Sequence, residues 1–188
     1  MLRIAAADCK LQPTNQNFTG GTFMRLQFRV AVIAGLLLGF AASLQAQEAV
    51  VGVADADALF HSKNALQEKN KQAAYHIMKE LLEANHWEMT DKWITERYIQ
   101  HNPNAKSGRD GVVYYFTQVR KVKPTDIPAK LGTPIVSVVA EGDYVIVVQP
   151  REIKNKEDPS KNYTTTWFDM WRFKDGKADE HWDGATRP

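Results

Sequence analysis

At 188 residues, with 44% hydrophobic and 24% charged side chains, the chain has the makeup of a globular protein able to bury one core. Its 24 Lys and Arg stand against 22 Asp and Glu, and this net charge of +2, with the basic residues scattered, argues against nucleic acid or a membrane surface as partner. The single cysteine, Cys9, excludes an internal disulfide.

The first element in chain order has the layout of a secretory signal. Met24-Arg25-Leu26-Gln27-Phe28-Arg29 is a short basic region, residues 30–44 are apolar with small residues interspersed, and Leu44-Gln45-Ala46 is a candidate cleavage site, although Leu44 is larger than the residue preferred there. The apolar run falls short of the roughly 20 residues that a membrane span needs. Cleavage before Gln47, no stable membrane insertion afterwards, and a periplasmic or secreted protein are the expectation. Residues 1–23 have no part in such a signal, so Met24 reads as the true start and the preceding segment as a misassigned extension. Export would then remove Cys9 and leave a spacer at 47–56 and one domain over 57–188.

Within that domain Asp57 reads as the cap of a long helix over residues 57–85, with Leu66, Asn70, Ala73, Ile77 and Leu81 at helical spacing on one side. A second helix is predicted over 90–97, folded back on the first through Trp87, Trp93 and Ile94. Residues 98–101 read as a short extended piece, ended by Asn102-Pro103 because a residue before proline avoids the helical region. Ser107-Gly108-Arg109-Asp110 has the spacing of a capping box. The helix it opens is predicted to run to about residue 122, to bury Val112, Phe116 and Val119, and to stop at Pro124. Strands follow, at 134–140 and 144–149 around the turn Glu141-Gly142-Asp143, and again after a charged loop at 154–162. Helices first and antiparallel strands after make an α+β fold. The apolar strands at 135–139 and 144–148 suggest a sheet covered by helices on one face and by a second copy on the other, hence a homodimer.

The last strands carry the chemistry. Side chains two apart on a strand share a face, so Asp169 stands in a row with Trp167, Trp171 and Phe173. A carboxyl among rings is poorly solvated in its charged form and suited to accept and return protons. Against this stands a plain structural reading, in which Asp169 sits at a strand bend paired with an arginine or hydroxyl. Asp175-Gly176 is a hairpin signal. A two-residue turn sets Asp169 opposite Trp182; a three-residue turn with a glycine bulge sets it opposite His181. His181 is equally readable as part of a solvated edge strand. His101 is a candidate ligand contact or a turn cap, and Tyr98 a phenol at the rim of the core. No histidine pair has helical metal spacing, and no CxxC, GxGxxG, Walker or GxSxG motif occurs, so neither metal nor cofactor is expected.

The run from Asp169 through Trp171, Arg172, Asp175-Gly176 and Glu180-His181-Trp182-Asp183, with Tyr98-Ile99-Gln100-His101-Asn102-Pro103 and Gly108 upstream, resembles the SnoaL-like polyketide cyclases of the NTF2-like superfamily. The resemblance covers about residues 57–183. It implies a cone of N-terminal helices packed on a curved antiparallel sheet, and a small-molecule ligand in that cone. It associates Asp169 with acid/base chemistry without a cofactor, of the aldol-cyclisation or isomerisation kind, and sets the Gln-His-Asn-Pro motif at the pocket mouth. The implied site has Asp169, His101 and His181 as catalytic groups and Tyr98, Trp167, Trp171 and Trp182 as substrate-binding walls. This chain departs from many relatives on the strand at 144–150, where valines and Gln149 stand in place of histidines. That departure favours the other reading, a non-catalytic binding or dimerising module.

Overall fold

The computed structural model describes residues 48–187. The basic region, the apolar run, the cleavage site and Cys9 lie outside the described residues. Among those described, no helix is long and apolar enough to cross a membrane.

Three helices precede or interleave with a five-stranded sheet. Helix α1, Ala65–His76, continues through Ile77–Glu83 in a wider winding, ending where the Ala84 N–H donates to the Lys79 carbonyl five residues back. Its cap is Asn64, whose side chain accepts from the amides of Leu66 and Gln67. Asp57, the expected cap, lies in a separate short turn, Asp57–Phe60, and its carboxylate accepts from the Leu131 amide instead. Of the predicted apolar face, Asn70, Ala73, Ile77 and Leu81 are buried, whereas Leu66 is exposed.

The second helix is shorter than the spacing predicts. Helix α2 covers only Thr90–Trp93, and strand β1, Ile94–Gln100, begins where the helix was expected to continue. β-Branched and aromatic residues at 94, 95, 98 and 99 favour the extended chain over a helix's last turn. The capping box does not form either. Gly108, at φ 89°, opens helix α3, Arg109–Tyr114, without a side-chain cap. The Ser107 hydroxyl instead accepts from the Gln100 amide, tying this turn to the end of β1. Helix α3 continues through Tyr115–Val119, and of the face expected to be covered Val112 is buried while Val119 is exposed.

Strands β2, Ser137–Glu141, β3, Tyr144–Ile153, β4, Tyr163–Lys174, and β5, Lys177–Asp183, complete a sheet in the order β1-β5-β4-β3-β2. The fold is the expected α+β cone, with one change: β1 pairs with β5 in parallel, so the sheet is mixed and β5 lies inside it rather than at its edge. Phe60, Ile77, Met78 and Leu81 from the helical side meet Val145, Val147, Trp171 and Phe173 from the sheet in one core.

The β4–β5 hairpin has neither predicted register. Asp175 and Gly176 both have positive φ, 55° and 82°, the geometry of a two-residue turn whose twist suits a hairpin. Beyond it Phe173 pairs with Ala178, but Arg172 pairs with Glu180, so Asp179 is an extra residue bulging from β5. The slip sets Trp171 opposite His181 and Asp169 opposite Asp183. One residue of slip exchanges the faces of everything beyond it. His181 and Asp183 thereby turn toward the helices, and Trp182 turns away from them.

Candidate active site

The concave side of the sheet and the helices enclose a cavity of about 500 Å³, a size suited to a small organic molecule. Ile77, Met78, Leu82, Ile94 and Val112 make one part of its wall apolar. Tyr98, Gln100, Asn102, Gln149, Asp169, His181 and Asp183 bring polar groups to another.

At the polar end, His181 Nε2 lies 3.1 Å from Asp169 Oδ1, both residues being buried. The partners are diagonal neighbours across β4 and β5, since Asp169 faces Asp183 and His181 faces Trp171. His181 Nδ1 lies 2.8 Å from Gln100 Oε1, and that oxygen also accepts from the Asn102 amide. An amide oxygen fixed by a backbone N–H can only accept, so Nδ1 carries a hydrogen and Nε2 is the atom presented to Asp169. The other carboxylate oxygen of Asp169 accepts from Gln149 Nε2 at 2.7 Å. Asp169 therefore has two polar partners in addition to its aromatic neighbours.

Tyr98 is buried and its hydroxyl accepts from Trp171 Nε1 at 3.3 Å, which leaves the phenolic hydrogen free for a cavity ligand. Burial pushes the phenol well above its usual pKa; the Trp171 bond opposes that rise, and the charges of Asp169 and Asp183 add smaller increments to it. Tyr98 is thus a neutral hydrogen-bond donor. Trp167 lines the cavity with the Arg151 guanidinium over its ring, 4.6 Å from the centroid.

Two of the expected site residues stand elsewhere. His101 and Trp182 stack on each other with centroids 4.9 Å apart, and neither lines the cavity. The His101 Nε2 contact is to Glu180 Oε1 at 2.8 Å. The Asp179 bulge explains both positions, because it turns Trp182 and Glu180 to the side away from the cavity. The site thus gathers Asp169, His181, Tyr98, Trp167 and Trp171 and leaves out His101 and Trp182.

Of the polar wall residues, Gln100 and Asn102 belong to the motif that the resemblance sets at the pocket mouth, whereas Gln149 and Asp183 carried no site role in the sequence reading. Asn102 Nδ2 donates to Asp183 Oδ2 at 2.6 Å, joining the motif after β1 to the end of β5. Gln149 had a usable signal: it shares a strand face with Val145 and Val147, which marks it as inward-facing once those valines are assigned to the core.

The SnoaL-like domain profile matches residues 74–181, and the chain belongs to that family. A protein from Acidithiobacillus ferrooxidans assigned as a polyketide cyclase is similar at 18% identity and a TM-score of 0.46, over 65% of this chain and 89% of that one. A SnoaL-like protein from Jannaschia sp. CCS1 is similar at 15% identity and a TM-score of 0.45, over 66% and 91% of the two chains. An epoxide hydrolase of the LEH-like kind from M. tuberculosis is similar at 10% identity and a TM-score of 0.44, over 61% and 80%. No curated protein matches the sequence.

Proposed function

We propose that this protein is an exported acid/base enzyme that acts on a small, mostly apolar carbonyl compound, by aldol-type cyclisation or isomerisation. The observation that carries the reading is the buried Asp169–His181 contact in the wall of a cavity that also presents the Tyr98 phenol. Asp169 takes the proton from the carbon next to the carbonyl, and the electrons of that C–H bond move to the carbonyl oxygen. The Tyr98 O–H donates to the enolate oxygen so formed. His181 orients the Asp169 carboxylate and stabilises its charge. In an isomerisation Asp169 returns its proton to another carbon; in a cyclisation the enolate carbon attacks a second carbonyl and the proton goes to the new alkoxide.

The test is α-proton exchange. Wild-type protein incubated with 1-indanone in D2O is expected to introduce deuterium at the α-carbon, followed by proton NMR. Asp169→Asn, which keeps the shape but cannot take the proton, is expected to abolish exchange while changing indanone affinity by less than about threefold, since the amide replaces one polar group by another of equal size. Exchange that persists in the variant overturns the assignment. A second reading, a ligand-binding module without turnover, is favoured by one observation: both Asp169 oxygens and both His181 nitrogens already have protein partners. Under that reading the variant changes affinity, and the wild type exchanges nothing.

A further inference from the structure

At the polar end of the cavity two carboxylates stand without an ion-paired Lys or Arg among the described residues, Arg120 and Arg151 of the same lining forming no ion pair with them. Asp169 and Asp183 are direct partners across β4 and β5, which brings two carboxylates together on one face of the sheet. Among the described residues no Lys or Arg forms an ion pair with either; the lysines and arginines that do form pairs have other partners. Among the described residues His181 is the only basic side chain paired with Asp169, so even a doubly protonated imidazole leaves the three residues one negative charge in excess. Like charges opposite each other on a sheet are destabilising, and burial makes the repulsion stronger.

One ligand atom each from Asp169, His181 and Asp183 lies within 4.8 Å of the others. We propose that these three residues form a binding site for a divalent transition metal ion of the zinc type. Two carboxylate oxygens and an imidazole nitrogen are a hard-to-borderline donor set without thiolate; the imidazole disfavours Mg2+ and Ca2+, which take oxygen ligands. Zinc bound by His and Asp needs contacts of about 2.0–2.2 Å, so the carboxylates must close in by on the order of 1 Å, within reach of side-chain rotation. Three protein ligands leave the ion a position open to the cavity.

The surroundings are those of a metal ligand set. A ligating histidine typically donates its other N–H to an oxygen that fixes ring and tautomer, and Gln100 Oε1 does this for His181. Asp183 is held in turn by Asn102 Nδ2 and by the Ala185 amide. These partners lie outside the three ligands and hold the His181 ring and the Asp183 carboxylate, whose ligand atoms lie within 4.8 Å of each other. The ion would occupy the place of the hydrogen between His181 and Asp169, so a metal-loaded chain cannot use Asp169 to move a proton. The site goes beyond the acid/base reading, which then belongs to the metal-free chain, and the two are told apart because this one is tested by binding and that one by turnover.

The experiment is calorimetric titration of the chelator-stripped full chain with ZnCl2, with MgCl2 as comparison. One Zn2+ per chain is expected, with no heat from millimolar Mg2+. Asp183→Asn and His181→Gln are each expected to weaken Zn2+ at least about tenfold, and Gln100→Leu, which leaves all three ligands in place, about tenfold or more. Thermal unfolding shows whether each variant is folded. Should the variants not fold, wild-type protein loaded with Co2+ gives the answer alone, through paramagnetic displacement of the His181 ring resonances. Absence of Zn2+ binding overturns the proposal, as does binding that the folded variants leave unchanged or Co2+ that leaves the His181 signals in place.

Discussion

Gln149 shows how much one polar side chain can decide at this site. It stands on β3, two residues beyond the direct partner of Asp169, and reaches diagonally to the carboxylate. Gln149→Leu removes that hydrogen bond and leaves one buried carboxylate oxygen without a donor, a change worth about 1.5–3 kcal/mol for a bond to a charged group. The urea midpoint is expected to fall accordingly; an unchanged midpoint would mean that water replaces the amide. Tyr98 makes the complementary case. Because burial raises the pKa of its phenol, Tyr98 keeps its hydrogen and remains a donor at alkaline pH where a free phenol would ionise. The proposed exchange reaction should therefore show no alkaline loss assignable to Tyr98, and Tyr98→Phe should lower its rate by about 10²-fold, the effect of removing one oxyanion donor, with the same pH profile as the wild type. A profile whose alkaline limb disappears in Tyr98→Phe would contradict a permanently neutral phenol.

The β4–β5 hairpin is the element on which the site depends, because the Asp179 bulge decides which residues of β5 face the cavity. Buried Asp179 accepts from Thr95 Oγ1 at 2.8 Å, Arg97 Nε at 3.1 Å and Arg172 Nη2 at 2.8 Å. Burial works to raise its pKa, but the bonds from Thr95 and Arg172 and the charges of Arg97 and Arg172 outweigh it, and the carboxyl lies below its usual range. A carboxyl depressed by folding stabilises the protein above its unfolded pKa of about 3.9 and stops doing so as pH falls through the folded value. Asp179→Asn should thus cost about 2 kcal/mol at pH 7, moderated by the exposure of Arg97. The gap between the two proteins should narrow as pH falls below about 4, in urea titrations at each pH; a gap independent of pH would exclude the charge as its source. The same bulge marks where the sequence stopped being legible. Periodicity and turn residues located the sheet, the hairpin and the row from Trp167 to Phe173, and with them Asp169. The register needed Thr95 and Arg97, from a strand that pairs with β5 across a long separation in sequence, and local patterns contain no such information. Without the bulge Trp182 would face the cavity, as the two-residue register has it. With it, Asp183 and His181 do.

At the scale of the whole molecule two of the proposals concern what the described domain is joined to. If residues 24–46 are a cleaved signal, the native protein begins near Gln47 and lies outside the cytoplasm; N-terminal sequencing of the native protein decides this, and a cytoplasmic product still carrying Met1 would overturn it. The second concerns the face of the sheet turned away from the cavity. Val139, Ile146, Met170 and Trp182 are successive direct partners across β2, β3, β4 and β5, and Val148 pairs with Phe168 beside them. Val139, Tyr144 and Phe168 are 54%, 42% and 48% exposed. An apolar row of this kind, with Tyr144, Arg172 and Glu180 along one side, has the composition of an interface core with a polar margin. An apolar sheet face can meet its own copy about a two-fold axis, each residue being used twice. Light scattering on the mature protein is expected to give twice the chain mass at micromolar concentration. Phe168→Glu would bring two carboxylates into the apolar part of the interface, weakening association by at least about 100-fold, or roughly 2.8 kcal/mol, and yielding monomer at the same concentration. Because Phe168 faces away from the cavity, the variant should keep the site intact, so that dimerisation and chemistry can be separated. A wild-type monomer, or a Phe168→Glu dimer as tight as the wild type, would show that this face is not where two copies meet.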